Sequence, residues 1–259
     1  MSYGFAEMIR QAREHNAGHW QLPFPQDVKL WLAKGRHLRV SFAWLHMTEN
    51  GEPDFTKPPR FTTVQRHYVP PEEDPFQGIG GYVLCEGEFC AFCHHENDVV
   101  RKLRDCHGTV VVAWPTTEEG FIDREEWKTF PALVIPWVYS GGRHEAILKT
   151  HKEAPLQDHD ILLSCEAQRY QRFLMTPCKN NLLAKIFATA NNPQVFEERG
   201  RLDEVSRWQG WYSSIIHQAN QIHPRLSYIM ARPNLLDTPP VCSDPSPEAA
   251  LDQLLALSV

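Results

Sequence analysis

Three of the chain's seven cysteines fall within nine residues, in the stretch Cys85-Glu86-Gly87-Glu88-Phe89-Cys90-Ala91-Phe92-Cys93-His94-His95. Thiolates separated by two residues can point at one tetrahedral centre, because the backbone turns sharply between them; a further cysteine and a more distant histidine complete the shell. Zinc suits this donor set, and four protein ligands would make it structural rather than catalytic. Cys85, Cys90 and Cys93 are read as three ligands. His67 is the preferred fourth, weighed against His94, His95, Cys106 and His107. Packing alone accounts poorly for three cysteines so close together. An odd cysteine count without an export signal also argues against a disulfide framework.

Other chemistries find little support. His94-His95-Glu96 matches the H-x-E of zinc deaminases, but it follows the C-x-x-C instead of preceding it, and no proline precedes Cys90. No H-E-x-x-H, G-x-S-x-G or phosphate-binding loop is present, and Gly78-Ile79-Gly80-Gly81 lacks the lysine and helix a phosphate loop needs. His144, His151 and His159 are read as solvated surface residues. The chain is therefore expected to be no enzyme, a zinc nuclease or deaminase being the remote exception.

The elements that would position the cluster are mostly strands. The run 38–45 alternates basic or polar residues with β-formers. Arg39 and Ser41 fall on one face, with Arg39 directed to solvent or ligand, while Val40, Phe42 and Trp44 face the core. Further strands are expected at 60–69, 109–114, 132–135 and 161–165, with Pro-rich turns at 50–59 and 70–75 and a helix-like stretch at 142–151. Residues 1–20 read as a short helix. Beyond residue 180, 182–188 and 202–220 have helical spacing, with Val205, Trp208, Trp211, Tyr212, Ile215 and Ile216 on one side. The pattern predicts a mainly β fold. Residues 1–27 form an N-terminal helical segment, 28–182 a small barrel with a metal-bound insert at about 67–108, 183–236 a helical extension and 237–259 a flexible acidic tail.

The strand-borne His67, the Cys85-x-Gly87-x-x-Cys90-x-x-Cys93 excursion, the run Asp160-Ile161-Leu162-Leu163-Ser164-Cys165 and Tyr170-Gln171-Arg172-Phe173 leading to Pro177 together resemble the zinc-containing single-stranded-DNA-binding proteins of bacteriophages. The likeness covers about residues 28–180. It implies an oligonucleotide-binding (OB)-like barrel with a zinc-binding insert and an α-helical C-terminal extension. The implied function is to cover or present single-stranded DNA (ssDNA) during phage replication, recombination or transcription. Non-specific ssDNA binding needs aromatic faces interleaved with cations. The candidates are Arg39, Arg60, Phe61, Arg66, Lys149, Lys152, Arg169, Tyr170, Arg172 and Phe173. A zinc-containing protein-interaction module or transcription cofactor that contacts a polymerase is the competing reading.

The composition is that of an ordinary globular protein: 259 residues, 42% hydrophobic, 22% charged, net charge -6. Charge is uneven, from +3 over 1–66 to -8 over 67–130, then weakly positive to 236 and -4 over 237–259. An acidic total excludes a sequence-indifferent polycation but not a locally basic groove. No apolar run approaches the length of a membrane span, so a soluble, cytoplasmic protein with no membrane partner is expected. The tail carries Pro239, Pro240 and Pro245, has no basic residue and ends in the apolar run 249–257, which suits docking on replication, recombination or transcription proteins.

Overall fold

The β-branched run at the middle of the chain forms the longest of the described strands. In the computed structural model, which describes residues 37–70, 72, 81–117, 133–165, 173–192, 194, 197, 205–226 and 230, this strand is β6 (Arg104–Thr116). Val110, Val111, Val112, Ala113 and Trp114 are all fully buried. A strand covered on both faces reads as a continuous apolar run, without the alternation of a half-exposed one.

Around it lie β1 (His37–Phe42), β4 (Thr62–Val69), β5 (Gly81–Leu84), β7 (Leu133–Ser140), β8 (Ile161–Cys165) and β9 (Phe173–Pro177). They form a seven-stranded antiparallel sheet ordered β5-β4-β6-β1-β8-β9, with β7 on the free edge of β6. One edge of β6 serves two partners end to end, β4 from Arg104 to Gly108 and β1 from Val111 to Thr116. Among the described residues no pairing joins the outer strands, so the sheet is open there. A two-stranded hairpin of β2 (His46–Met47) and β3 (Pro53–Asp54) lies in the expected turn region. The expected N-terminal helix and the acidic tail fall outside the described residues.

Helices cover both faces. The helix α1 (Asp98–Arg101) belongs to the insert, and α2 (Gly141–Glu153) follows β7 without a break. Its first turn lies on the His107 face of β6, where the His144 and His107 rings stack at 4.1 Å. α3 (Leu182–Ala190) and α4 (Val205–Ile222) pack together through Phe187 and Tyr212, 4.8 Å between rings. Trp211 of α4 meets Trp114 edge-on, and Leu226 and Met230, beyond α4, lie against Gly108. Gly108 and Trp114 share the face opposite His107 by strand alternation. A Cβ on Gly108 would run into the Met230 methyl. The expected buried stripe of α4 is present, with Trp208, Trp211, Tyr212, Ile215 and Ile216 all buried.

One buried carboxylate ties four elements together. Asp160, just before β8, is fully buried and accepts Arg39 Nε at 2.7 Å, the Ser41 hydroxyl and the Leu182 amide at 3.0 Å. Trp114 Nε1 donates to the same Ser41 oxygen at 2.7 Å. The second arm of Arg39 reaches the Asn180 carbonyl and side-chain oxygen at 2.9 and 2.8 Å. Asn181 caps α3 by accepting from the Ala184 amide at 3.0 Å. Burial raises the Asp160 pKa, while Arg39, Ser41 and the Leu182 amide pull it back.

The three histidines read as solvated are partly buried and engaged. His151 Nδ1 accepts from the Leu156 amide at 3.1 Å, His159 Nδ1 bonds the Cys178 carbonyl at 2.8 Å, and His144 joins the His107 stack. His151 closes the turn that follows its own helix, His159 reaches the segment just after β9, and His144 lies where α2 meets β6. Among the described residues no helix is long and apolar enough to cross a membrane.

Two outcomes follow from this packing. Asp160→Ala leaves Arg39 unpaired in a largely buried site, so urea denaturation should show a loss of about 3–5 kcal/mol. His107, His144 and His223 are each held below the usual value of 6.5, chiefly by burial, with His107 acting on His144 and Arg60 on His223. The unfolded chain then takes up protons first. Stability is complete above about pH 6.5 and falls as the pH drops through the window below it. The urea midpoint should fall between about pH 7.5 and about pH 5.5. His144→Phe, which keeps a stacking ring without a titrating nitrogen, should flatten that fall.

Candidate metal centre and nucleic-acid interface

The pleat of β4 turns His67 to the side of the sheet that carries Thr63, His107 and Tyr139. Opposite it, β5 runs straight into the cysteines: the Cys85 amide extends the β4–β5 ladder by donating to the Gln65 carbonyl at 2.9 Å. Gly87 follows with φ of +73°, a left-handed conformation that favours glycine. Two 3-10 turns, Gly87–Phe89 and Ala91–His94, then reverse the chain. The Cys93 amide donates to the Cys90 carbonyl at 3.1 Å, closing the sharp turn that C-x-x-C spacing allows. Asn97 caps α1 by accepting from the Val99 amide at 2.9 Å.

The ligand atoms of His67, Cys85, Cys90 and Cys93 all lie within 4.8 Å of one another. Cys85 and Cys93 sulfurs are 3.5 Å apart, and His67 Nε2 is 3.5 Å from the sulfurs of both Cys90 and Cys93. Tetrahedral zinc with ordinary Zn–S and Zn–N bonds places its ligands about 3.6–3.8 Å apart, so the residues fit such an ion. His67 is fully buried, and its Nδ1 sits 2.7 Å from the Val100 carbonyl. That carbonyl only accepts, so Nδ1 carries the proton and Nε2 presents its lone pair to the cluster. Three thiols this close cannot all ionise unassisted: the hydrogen bond with Cys85 and then burial push Cys93 up to about 11. A bound divalent cation reverses that balance by deprotonating coordinated thiols.

The alternative fourth ligands lie elsewhere. Cys106 is buried on the opposite face of β6, and His107 Nδ1 bonds the Thr63 hydroxyl at 2.9 Å. His95 Nδ1 accepts from the Asn97 amide at 3.1 Å, and His94 is exposed at the end of its turn. In the insert from Cys85 to Leu103 only Cys90 and Val100 are buried, so little apolar packing is available to hold it.

Among the described residues, the cation and aromatic candidates do not all share one face of the sheet: Phe61 lies on the His144 side and Arg66 on the other. Arg39, expected to face solvent or ligand, is turned inward onto Asp160, with 11% of its side chain exposed. Strand alternation placed it correctly opposite Phe42, but α3 covers that face too, so both sides of β1 are interior. Phe61 packs edge-on against Phe42 and His144 at 5.9 and 5.3 Å. Arg60 is exposed with its guanidinium 4.7 Å from the centre of the Trp44 ring, which also stacks on His223 at 3.6 Å. Lys149 and Lys152 are exposed on α2. Phe173 opens β9, while Arg169, Tyr170 and Arg172 lie outside the described residues.

Among the described candidates, Arg66 joins an interleaved set. Its guanidinium lies 3.7 Å from the centre of the Tyr82 ring, and it also donates to the Met230 carbonyl. Tyr82 pairs across the strands with Tyr68, their rings 5.3 Å apart. Arg104, directly opposite Arg66 on β6, approaches Tyr68 at 5.4 Å and Tyr82 at 6.0 Å. All four side chains are half-buried and share the face opposite His67. Sequence reasoning did not single out Tyr68, Tyr82 or Arg104. The available signal was the alternation Arg66-His67-Tyr68, which sets both neighbours of a candidate metal ligand on the other face.

Compared with protein-family models, with curated proteins and with solved structures, the chain matches none of them.

The centre makes a direct prediction. Elemental analysis of protein purified with metal present should find one ion per chain. His67→Ala and Cys90→Ala should lose it, whereas Cys106→Ser should retain it. Retention in His67→Ala would shift the ligand set to another histidine.

Proposed function

We propose that the protein binds single-stranded DNA without catalysing a reaction on it, on the sheet face that carries Arg66, Tyr68, Tyr82 and Arg104. The observation that carries this reading is the interleaving of two tyrosine rings with two guanidinium groups on neighbouring strands. Every base offers a π-face to an aromatic ring, and each phosphate offers a charge to an arginine, so such a set binds a strand with little regard to sequence. Arginine also stacks on the rings themselves, keeping the cation over the platform.

The bound metal in this reading is zinc in a structural role, because four protein ligands leave no position for a reacting water. In this reading the sheet is part of an OB-like barrel that stays open at its outer strands. The sharing of one edge of β6 between β4 and β1 supports that architecture, since a strand that passes between partners is how a small sheet turns a corner. The protein protects or presents ssDNA in phage replication, recombination or transcription, with the acidic tail recruiting the proteins of those processes.

Fluorescence-anisotropy titration with single- and double-stranded oligonucleotides tests the proposal. The single strand should bind preferentially, and binding should weaken steeply with salt. Tyr82→Ala should weaken it by about 1–3 kcal/mol, the range for loss of one base–aromatic stack. Arg104→Ala should reduce the slope of log K against log salt by about 0.7, the value for one single-strand phosphate contact. Metal-loaded protein that binds neither strand would sink the reading.

A further inference from the structure

The clustered cysteines differ in how they meet solvent. Cys90 is 1% exposed, and with His67 Nε2 at 3.5 Å from its sulfur it forms the inner half of the cluster. Cys85 and Cys93 are only half-buried, and their sulfurs lie 3.5 Å apart. A bond between those two sulfurs needs a further approach of about 1.5 Å. Little packing opposes that movement, because Cys90 is the one buried residue between them and the chain there runs through Gly87 and two 3-10 turns.

Two other described cysteines offer a contrast. Cys106 is buried and Cys178 half-buried, and burial pushes both thiols up, Cys178 to about 11. Both are therefore held in the protonated form, which is the unreactive one. A metal ion in the cluster does the opposite to Cys85 and Cys93, since a coordinated thiol is deprotonated outright.

We propose that Cys85 and Cys93 are a thiol-oxidation site, at which a peroxide joins the two sulfurs as a disulfide and the metal is released. One thiolate attacks a peroxide oxygen, so that the O–O bond breaks, a sulfenic acid forms and hydroxide leaves. The second thiolate attacks the sulfenic sulfur, forming the S–S bond and expelling a second hydroxide. Each sulfur gives up one electron and the peroxide takes both. His67 and Cys90 then remain as two ligands where a structural ion needs four. The stretch from Cys85 to Leu103 buries only Cys90 and Val100, so its order goes with the ion. β5 leads directly into it and carries Tyr82, so the edge of the sheet loosens too. A dithiol reverses the step by exchange, and the regenerated thiolates take the metal back.

The full, zinc-loaded chain treated with hydrogen peroxide tests this, with a chromogenic chelator reading free zinc. About one zinc should appear for each disulfide formed, and a dithiol with added zinc should restore the loaded protein. Cleavage after Glu86 and Glu88 separates Cys85 from Cys90 and Cys93, so mass mapping should find a Cys85 peptide linked to the Cys93 peptide. Cys90, Cys106 and Cys178 should remain open to alkylation after unfolding. Amide exchange over 81–103 should quicken by about tenfold or more on oxidation. Cys85→His, which keeps a donor for zinc but removes one sulfur of the pair, should release zinc at least about tenfold more slowly. The wild-type map decides the pairing whether or not that variant keeps its ion. Zinc retained in peroxide, a Cys90–Cys93 link, sulfinic acids in place of a disulfide, or release that a dithiol with zinc does not restore would each overturn the proposal. The assay contains no DNA, so its result stands apart from the fate of the ssDNA reading.

Discussion

The pleat of the β4–β6 pair is the constraint from which the rest follows. Successive side chains on a strand must point to opposite faces. On β4 this sends His67 to the cysteine cluster and its neighbours Arg66 and Tyr68 to the other side. The pairings Tyr68–Tyr82 and Arg66–Arg104 then assemble four side chains from three strands into one patch. A slip of one residue in the β4 register would move His67 away from the cysteines and break the patch together. The cysteine clamp just beyond β5 resists such a slip, since Cys85 is both the last link of the β4–β5 ladder and a member of the cluster.

The insert and the body of the fold are held by different physics. From Cys85 to Leu103 the chain buries almost nothing apolar, and its order rests on the donor cluster, a few turn hydrogen bonds and the Asn97 cap. The body rests on a double-sided core around β6, with a polar node inside it. Asp160 receives donors from β1 and α3, and Ser41 passes the connection to Trp114 on β6. A buried carboxylate is tolerable only when it is paired and hydrogen-bonded, and each Asp160 oxygen is engaged. Such a node specifies geometry: α3 can start only where its Leu182 amide finds that carboxylate.

The histidines show how packing reassigns polar residues. His107 and His144 stack in nearly parallel rings where α2 meets β6, and His223 stacks on Trp44 where the chain leaves α4. In each case an imidazole serves as a flat, weakly polar ring at a junction of elements, with burial holding it neutral. Arg39 is reassigned in the same way, from a candidate ligand contact to the partner of Asp160.

Local spacing was enough to identify what depends on local geometry. Cys85, Cys90 and Cys93 pointed to a cluster that could hold a metal ion, because a tetrahedral shell imposes a turn and therefore a spacing. The β-branched run of β6, the helix over 182–188 and the apolar stripe of α4 were readable because period and burial are properties of a single segment. What depended on register or on covering layers was decided by tertiary structure. His67 could be preferred over Cys106 and His107, but only the strand pairing puts its Nε2 beside the sulfurs. Tyr68, Tyr82 and Arg104 come from three strands separated along the chain, and nothing in any one segment states that they meet. Arg39 was assigned to the correct face of β1. Whether that face met water or α3 could not be read from β1, because exposure belongs to the assembled layers and not to the strand.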